Sequence, residues 1–326
     1  MMTKQQQLAE CLKRFQSLLA LGLMVLALAF TADNFFTVGN GLNVLQQICA
    51  NLCLSIGMTI IILSGGIDLS VGSMLALAGA VAAGLLKRGL AVPGTDVFIE
   101  FTTSGAIFVA IAVGTVLGWF NGFAITRFKL PPFVATLGML SIARGLTMLW
   151  TGGFPINQLG AEFGYLGTGR CLGVPMPVWI SAALVGVFVL LMKRTRFGRQ
   201  VYAVGGNERA ATLSGLNVAR IKLLVYTLGG GLAGVAGLLV TSKLDSAQPN
   251  AGMSYELDSI AAVVIGGTSL NGGRGTILGT VLGCLIIGVL NNGLVLLEVS
   301  PFWQQVIKGL VILVAVALDK MGGKKV

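Results

Sequence analysis

Apolar runs of about 20 residues, long enough to carry a helix across roughly 30 Å of hydrocarbon, dominate this chain. Ten of them fall near residues 16–31, 44–63, 71–86, 104–126, 133–151, 177–193, 221–241, 257–267, 276–297 and 303–318, several of them short. Hydrophobic residues make up 55 % of the sequence before its 47 glycines are added, whereas a soluble domain reaches only about half with glycine included. The pattern predicts an all-α integral membrane protein with about ten transmembrane helices. No small-residue cleavage site follows the first run, and the next begins within a dozen residues. That run is therefore expected to stay as a helix rather than act as a signal peptide.

A formal charge of +10 would suggest nucleic acid in a soluble chain, but in a membrane protein the sidedness of the cations matters more than their sum. If ten helices start from an inside N-terminus, the inside segments collect Lys4, Lys13, Arg14, Arg127, Lys129, Lys193, Arg194, Arg196, Arg199, Arg209, Arg220, Lys222, Arg274, Lys320, Lys324 and Lys325. The outside segments collect Lys87, Arg88, Arg170 and Lys243. Both termini are expected in the cytoplasm on this bias, with Lys87 and Arg88 running against it. The organisation that follows is a cytoplasmic N-terminal segment (1–15), a first transmembrane half (16–193), a cytoplasmic segment (194–220), a second half (221–318) and a basic cytoplasmic tail (319–326).

The longest inside segment, KRTRFGRQVYAVGGNERAATLSGLNVARIK at 193–222, is polar and basic and divides the halves. Within it Asn207 can cap a helix that carries Glu208 in its first turn, and Gly215 can end it in a left-handed conformation. Such a helix of about two turns is too short to stand alone in water, and Ala210, Ala211 and Leu213 do not make a membrane-binding stripe. It is either a loop helix packed under its own bundle or a docking site for another protein.

The second half weakly echoes the first. GTVLG occurs at 114–118 and 279–283, and each copy is followed by a cation, Gly and Leu, at Arg144 and Lys308, 30 and 29 residues after the first glycine. Upstream, Asp68, Leu69 and Ser70 correspond to Glu256, Leu257 and Asp258. These matches pair spans 3, 4 and 5 with 8, 9 and 10, an odd offset that inverts the second unit, as in many transporters. Chance similarity between Gly- and Leu-rich segments is the alternative. A rival match, GGIDLSVG at 65–72 with GGTSLNGG at 266–273, would pair two other segments.

Ionisable groups inside hydrocarbon cost a few kcal/mol and usually face a bundle interior or an aqueous cavity. Arg144, in mid-span, is expected to line a cavity or to pair with a carboxylate or helix-end carbonyls. Lys308 lies nearer the outer surface and is either an interfacial anchor or a pore residue. IGGTSLNGGRGT at 265–276, containing Asn271, holds too many glycines to continue a helix and must break, as a tight turn or as part of a permeation path.

The absences are also informative. Cys11, Cys49, Cys53, Cys171 and Cys284 are scattered, form no CxxC pair and find no histidine anywhere, so they are read as free thiols that pack rather than as metal ligands. No GxxxxGK[ST] loop and no Ser–His set is present, so neither ATP hydrolysis nor hydrolase chemistry is expected of this chain, and no cofactor is implied. No row of acidic residues crosses successive spans as a proton or sodium relay would require. The energy for any active transport is expected on another polypeptide.

Four blocks carry a resemblance: SGGIDLSVGS (64–73), VGGNERAATLSGLNV (204–218), SAQPNAGMSYELDSIAAVVIGGTSLNGGRGT (246–276) and LNNGL (290–294). In this order they resemble the permease subunits of bacterial monosaccharide ABC importers, nearest the ribose permeases; the N-terminus and the 87–103 loop stay outside the match. The resemblance implies a multi-pass inner-membrane homodimer of ten-helix, type II-like subunits in contact with membrane lipid and without nucleic acid. Its implied partners are a cytoplasmic ABC ATPase and a periplasmic or extracellular sugar-binding protein. It further implies that Asn207, Glu208, Arg209, Ala210, Ala211 and Gly215 form the ATPase-coupling element, with Arg209 where many relatives have Ala. Candidates for the translocation path or gate are Asp68, Ser70, Arg144, Glu256, Asp258, Asn271 and Lys308. A stand-alone secondary transporter or channel and an assembly scaffold are the rival readings.

Asp68 interrupts a long apolar stretch in LSGGIDLSVGS (63–73). It is expected in a cytoplasmic-side break between spans 2 and 3, where Asp68 or Ser70 caps the next helix or contacts the gate. Under the inverted repeat its counterparts Glu256 and Asp258 would lie at the outer face, one acidic helix start at each mouth of the path.

Overall fold

The computed structural model describes residues 4–91 and 98–322. Lys324 and Lys325 of the expected tail lie outside the described residues, as do the side chains of Lys4, Cys11, Lys13, Arg14 and Lys320. Thirteen helices form among the described residues: α1 (Lys4–Thr31), α2 (Val38–Leu63), α3 (Val71–Arg88), α4 (Thr103–Arg127), α5 (Pro132–Thr151), α6 (Ala161–Thr168), α7 (Met176–Arg194), α8 (Arg196–Gly206), α9 (Glu208–Leu213), α10 (Val218–Leu244), α11 (Tyr255–Ile265), α12 (Ile277–Leu296) and α13 (Pro301–Gly322). The helix starts follow local chemistry. The side-chain oxygens of Thr37, Thr102, Thr195, Asn207, Asn217 and Thr276 each accept a backbone N–H of the following first turn, and proline occupies the first turn of α5 and α7.

Seven helices, α2, α3, α4, α5, α7, α10 and α12, are long and apolar enough to cross a membrane. Shorter apolar stretches occupy Leu18–Thr31 of α1 and Pro301–Val314 of α13, and α11 has only 11 residues. Burial separates a central from a peripheral layer. The apolar windows of α2 and α3 are 72 % and 78 % buried, those of α5 and α7 only 22 %, so the outer helices carry their apolar surface on the outside of the bundle.

Small residues set the tightest crossings. Gly114 and Gly118 of α4 face Gly230 and Gly234 of α10, with backbone against backbone at both ends of the pair. This is the four-residue glycine spacing that lets membrane helices approach closely. The α11–α12 contact is made in the same way, Gly283 against the Ala262 carbonyl and Gly279 against that of Gly266.

The cations separate by end. Arg127 ends α4 beside the start of α10, Arg194 leads from α7 into α8, and Gly273, next to Arg274, abuts Gly206. Lys87 and Arg88 end α3 at the opposite end, where Arg88 donates to the Trp150 carbonyl at 3.3 Å and Lys243 packs on Gly167.

The polar segment at 193–222, expected to carry one short helix after Asn207, is instead almost wholly helical. α7 continues through Arg194, and α8 follows at once, capped by Thr195. Val201 and Val204 of α8 are buried in the main core cluster with Phe197 against them, so a three-to-four-residue apolar spacing was present to signal it.

Candidate functional site

The α2–α3 break is a sealed turn. Asp68 is 0 % exposed. Its Oδ1 accepts the Ser70 backbone N–H at 2.8 Å and the Ser70 hydroxyl at 2.5 Å. Asn121 of α4 donates to Ser70 Oγ at 3.0 Å and reaches Asp68 Oδ2 at 3.5 Å. Tyr226 of α10 and Thr136 of α5 donate to the carbonyl of Ile67. Ser70 stands at the N-cap position but makes no side-chain cap bond to α3; Asp68 caps the turn and Ser70 serves Asp68.

α3 and α11 are positioned by longer helices. The Leu75 carbonyl and Gly79 pack on Gly237 and Thr241, so α3 runs beside only the later part of α10. Ser259, in the first turns of α11, donates to Asn51 Oδ1 at 2.8 Å, halfway along α2. Both helices thus begin inside the bundle, and their starts touch. A Cβ placed on Gly72 would collide with the carbonyl of Gly252 and lie 2.7 Å from Glu256 Oε2. The acidic start of α11 and the Asp68 turn are therefore neighbours, not groups at opposite mouths as the repeat alone suggested. Local pattern fixed the helix starts, but their depth is set by packing on α2 and α10.

The strand that leads into α11 is built from the far end. Ser246–Ala247 pairs antiparallel with Ile156–Asn157, and the chain then turns back into the bundle through 248–254. Arg144 holds this return segment: its guanidinium donates to the carbonyls of Pro249 and Ala251 at 2.6 and 2.9 Å. Lys308 meets Asp258 at 3.3 Å across α13 and α11, a pairing that neither an anchor nor a pore role had named. Asn271 is exposed on the 266–276 turn, where the N–H of Gly273 donates to the Leu63 carbonyl at 3.0 Å. The path candidates thus fall in three places: Asp68 and Ser70 in the sealed turn, Arg144, Glu256, Asp258 and Lys308 around the start of α11, and Asn271 at the end that carries α8 and α9.

α9 is held on the outside of that end. Asn207 Oδ1 accepts the Ala210 N–H at 3.0 Å, Ala211 is buried in the core cluster, and Glu208 pairs with Lys222 of α10 at 2.8 Å. Gly215 follows with φ +81°. Leu213 is 90 % exposed.

A permease component of the branched-chain amino acid transport system, as a family, matches residues 40–316. The chain belongs to this permease family. The permease is 47 % identical over 308 residues to the ribose import permease protein RbsC of Escherichia coli strain K12, covering 93 % of this chain and 92 % of that protein. It is 45 % identical to RbsC of Haemophilus influenzae over 99 % of this chain and 98 % of that one. The D-allose transport system permease protein AlsC of Escherichia coli is 37 % identical over 91 % and 88 %. No solved structure matches. Cys49, Cys53 and Cys284 are free and buried as expected, whereas Cys171 is free but exposed, in the short β-hairpin of Arg170–Cys171 with Val174–Pro175, and does not pack.

Proposed function

We propose that this permease is the membrane subunit of an ATP-driven, binding-protein-dependent importer that moves a monosaccharide, ribose above all, across the bacterial inner membrane into the cytoplasm. The observation that carries the reading is near-full-length identity of 47 % to a ribose import permease, against 37 % to an allose permease. ATP hydrolysis belongs to a separate ABC ATPase, and a sugar-binding protein delivers the ligand from outside. A bacterial strain that lacks its ribose permease but retains the other two components should regain growth on ribose when it expresses this chain. Growth restored on allose and not on ribose would overturn the sugar assignment.

Orientation follows from the cations. The end bearing Arg127, Arg194, Arg196, Arg199, Arg209, Arg220, Lys222 and Arg274 is the cytoplasmic one, which supports cytoplasmic termini and the division of the chain at 1–15, 16–193, 194–220, 221–318 and 319–326. In that frame α1 to α5 and α7, then α10 to α13, are the ten membrane helices. Four packing relations recur when each membrane helix is shifted by five places: α10 on α4 as α2 on α12, α3 on α5 as α11 on α13, α3 on α10 as α11 on α2, and α3 on α4 as α11 on α12. They support an inverted five-helix repeat. The rival alignment pairs two loops at one end of the bundle, Gly272 against Gly65, and so does not describe an inverted repeat.

α9 with Asn207, Glu208, Arg209, Ala210, Ala211 and Gly215 is the ATPase-coupling element. Closure of the ATPase pair would push on it, and rocking of two subunits of a homodimer would open a central path alternately to each side. Gly215→Val is expected to leave the bundle folded, since nothing lies within 4 Å of a Cβ there, while the positive φ costs about 1–2 kcal/mol and tilts α9. ATP hydrolysis should then run with transport lost; coupled transport at the native rate would refute the assignment.

Asp68 is assigned the turn rather than the gate. Asp68→Asn keeps an acceptor for the Ser70 N–H, whereas Asp68→Ala strands buried donors at about 1–3 kcal/mol each. The expected outcome is a reduced membrane level in Asp68→Ala alone. Loss of transport in both variants at normal levels would assign Asp68 to the gate.

A further inference from the structure

α2 counts as an apolar membrane helix, yet one of its faces is polar. Asn43, Gln47 and Asn51 recur at four-residue spacing, which places them on one stripe. Asn51 is bonded to Ser259, but Asn43 and Gln47 are exposed and have no hydrogen-bond partner among the described residues. α11 explains the stripe's exposure. It begins at Tyr255, about one turn before Ser259 meets Asn51, so the outer part of α2 has no α11 beside it and instead meets the end of α6, where Gly167 accepts from Gln46.

A cavity of about 130 Å³ opens there, lined by Gln46, Gln47 and Ala50 of α2, Lys243 of α10 and Tyr255 at the start of α11, among others. Its volume corresponds to about four waters, the scale of one small polyhydroxylated ring. Gln46 is already committed, donating to the Gly167 carbonyl at 2.6 Å. The Gln47 amide, the Lys243 ammonium and the Tyr255 hydroxyl have no hydrogen-bond partner among the described residues. Gln47 and Lys243 are exposed and Tyr255 is half-buried, so all three groups are open to water or a ligand at the cavity.

We infer that this cavity is a binding stop for a sugar on its way inward, with Gln47, Lys243 and Tyr255 hydrogen-bonding its hydroxyls. The inference rests on the importer reading above. An amide, an ammonium and a phenol together supply donors and acceptors to neutral hydroxyls, and the cavity walls of Ala50, Leu239 and Val240 suit the apolar face of a sugar ring. Asn43 lies one turn farther along the same stripe toward the outer end and completes the approach.

The test uses the complete transporter in proteoliposomes, with its ATPase, its binding protein and labelled D-ribose. Gln47→Ala combined with Tyr255→Phe is expected to slow uptake roughly tenfold or more, about one decade for the hydrogen bonds removed, while Gln47→Asn recovers part of the rate. In a Cys171→Ser background, Gln47→Cys is expected to react with a membrane-impermeant charged thiol reagent added outside, and ribose-loaded binding protein should slow that reaction. Unchanged uptake in the double variant, no labelling, or a disulfide between two copies at position 47 would overturn the site, the last by making the stripe a subunit contact. If the wild-type assembly takes up no ribose, the importer reading itself fails, which the variants alone cannot produce.

Discussion

Leu213→Asp is expected to weaken association with the ABC ATPase by at least about thirtyfold, the loss of a buried anchor of roughly 2 kcal/mol. Leu213 is 90 % exposed on α9, so its removal disturbs no contact within this chain. The backbone beneath it is fixed by the Asn207 cap, by buried Ala211 and by the Glu208–Lys222 pair. That exposed pair is worth under about 1 kcal/mol, so cap and burial hold the helix while Leu213 stays exposed. Co-purification of the variant with the ATPase, and ATP hydrolysis by the assembly, measure the effect. Native association would show that α9 is a loop helix and that the ATPase docks elsewhere.

Gly118→Leu is the second large effect, and it acts on the fold. A Cβ at Gly118 would run into the backbone of Tyr226 and Gly230, so a leucine cannot be placed without parting α4 from α10. The expected loss is about 3 kcal/mol, the upper part of the range for over-packing, read as a lower membrane level and a lower melting temperature in detergent. Gly138→Leu, on α5 with nothing within 4 Å of its Cβ, is the control for added bulk. Equal melting of the two variants would refute the α4–α10 crossing. The crossing matters for function because Asn121 and Tyr226, which stitch the Asp68 turn, project from these same two helices.

Local rules made some of this structure legible in the sequence and left other parts hidden. The apolar runs, the Asn207 cap with Gly215 closing its helix, and the glycine break at 265–276 follow from chain geometry within a few residues, and the structure forms each of them. α8 was missed because basic residues and two terminal glycines masked its apolar face. The partners of Arg144 and Lys308 lie 105–107 and 50 residues away, beyond any local pattern. The same holds for the meeting of α3 and α11, whose depth is fixed by α10 and α2. The polar stripe on α2 was hidden by averaging: one face of Asn43, Gln47 and Asn51 disappears into the mean hydropathy of a 26-residue helix.

We propose that this chain transports only as part of an assembly with an ATPase and a binding protein. Uptake of labelled D-ribose into proteoliposomes tests it most directly, comparing this chain alone, with each partner separately, and with both partners and ATP. Accumulation against a gradient only in the complete assembly is the predicted result. Ribose uptake by the chain alone at a comparable rate would contradict it and make the protein a self-sufficient transporter.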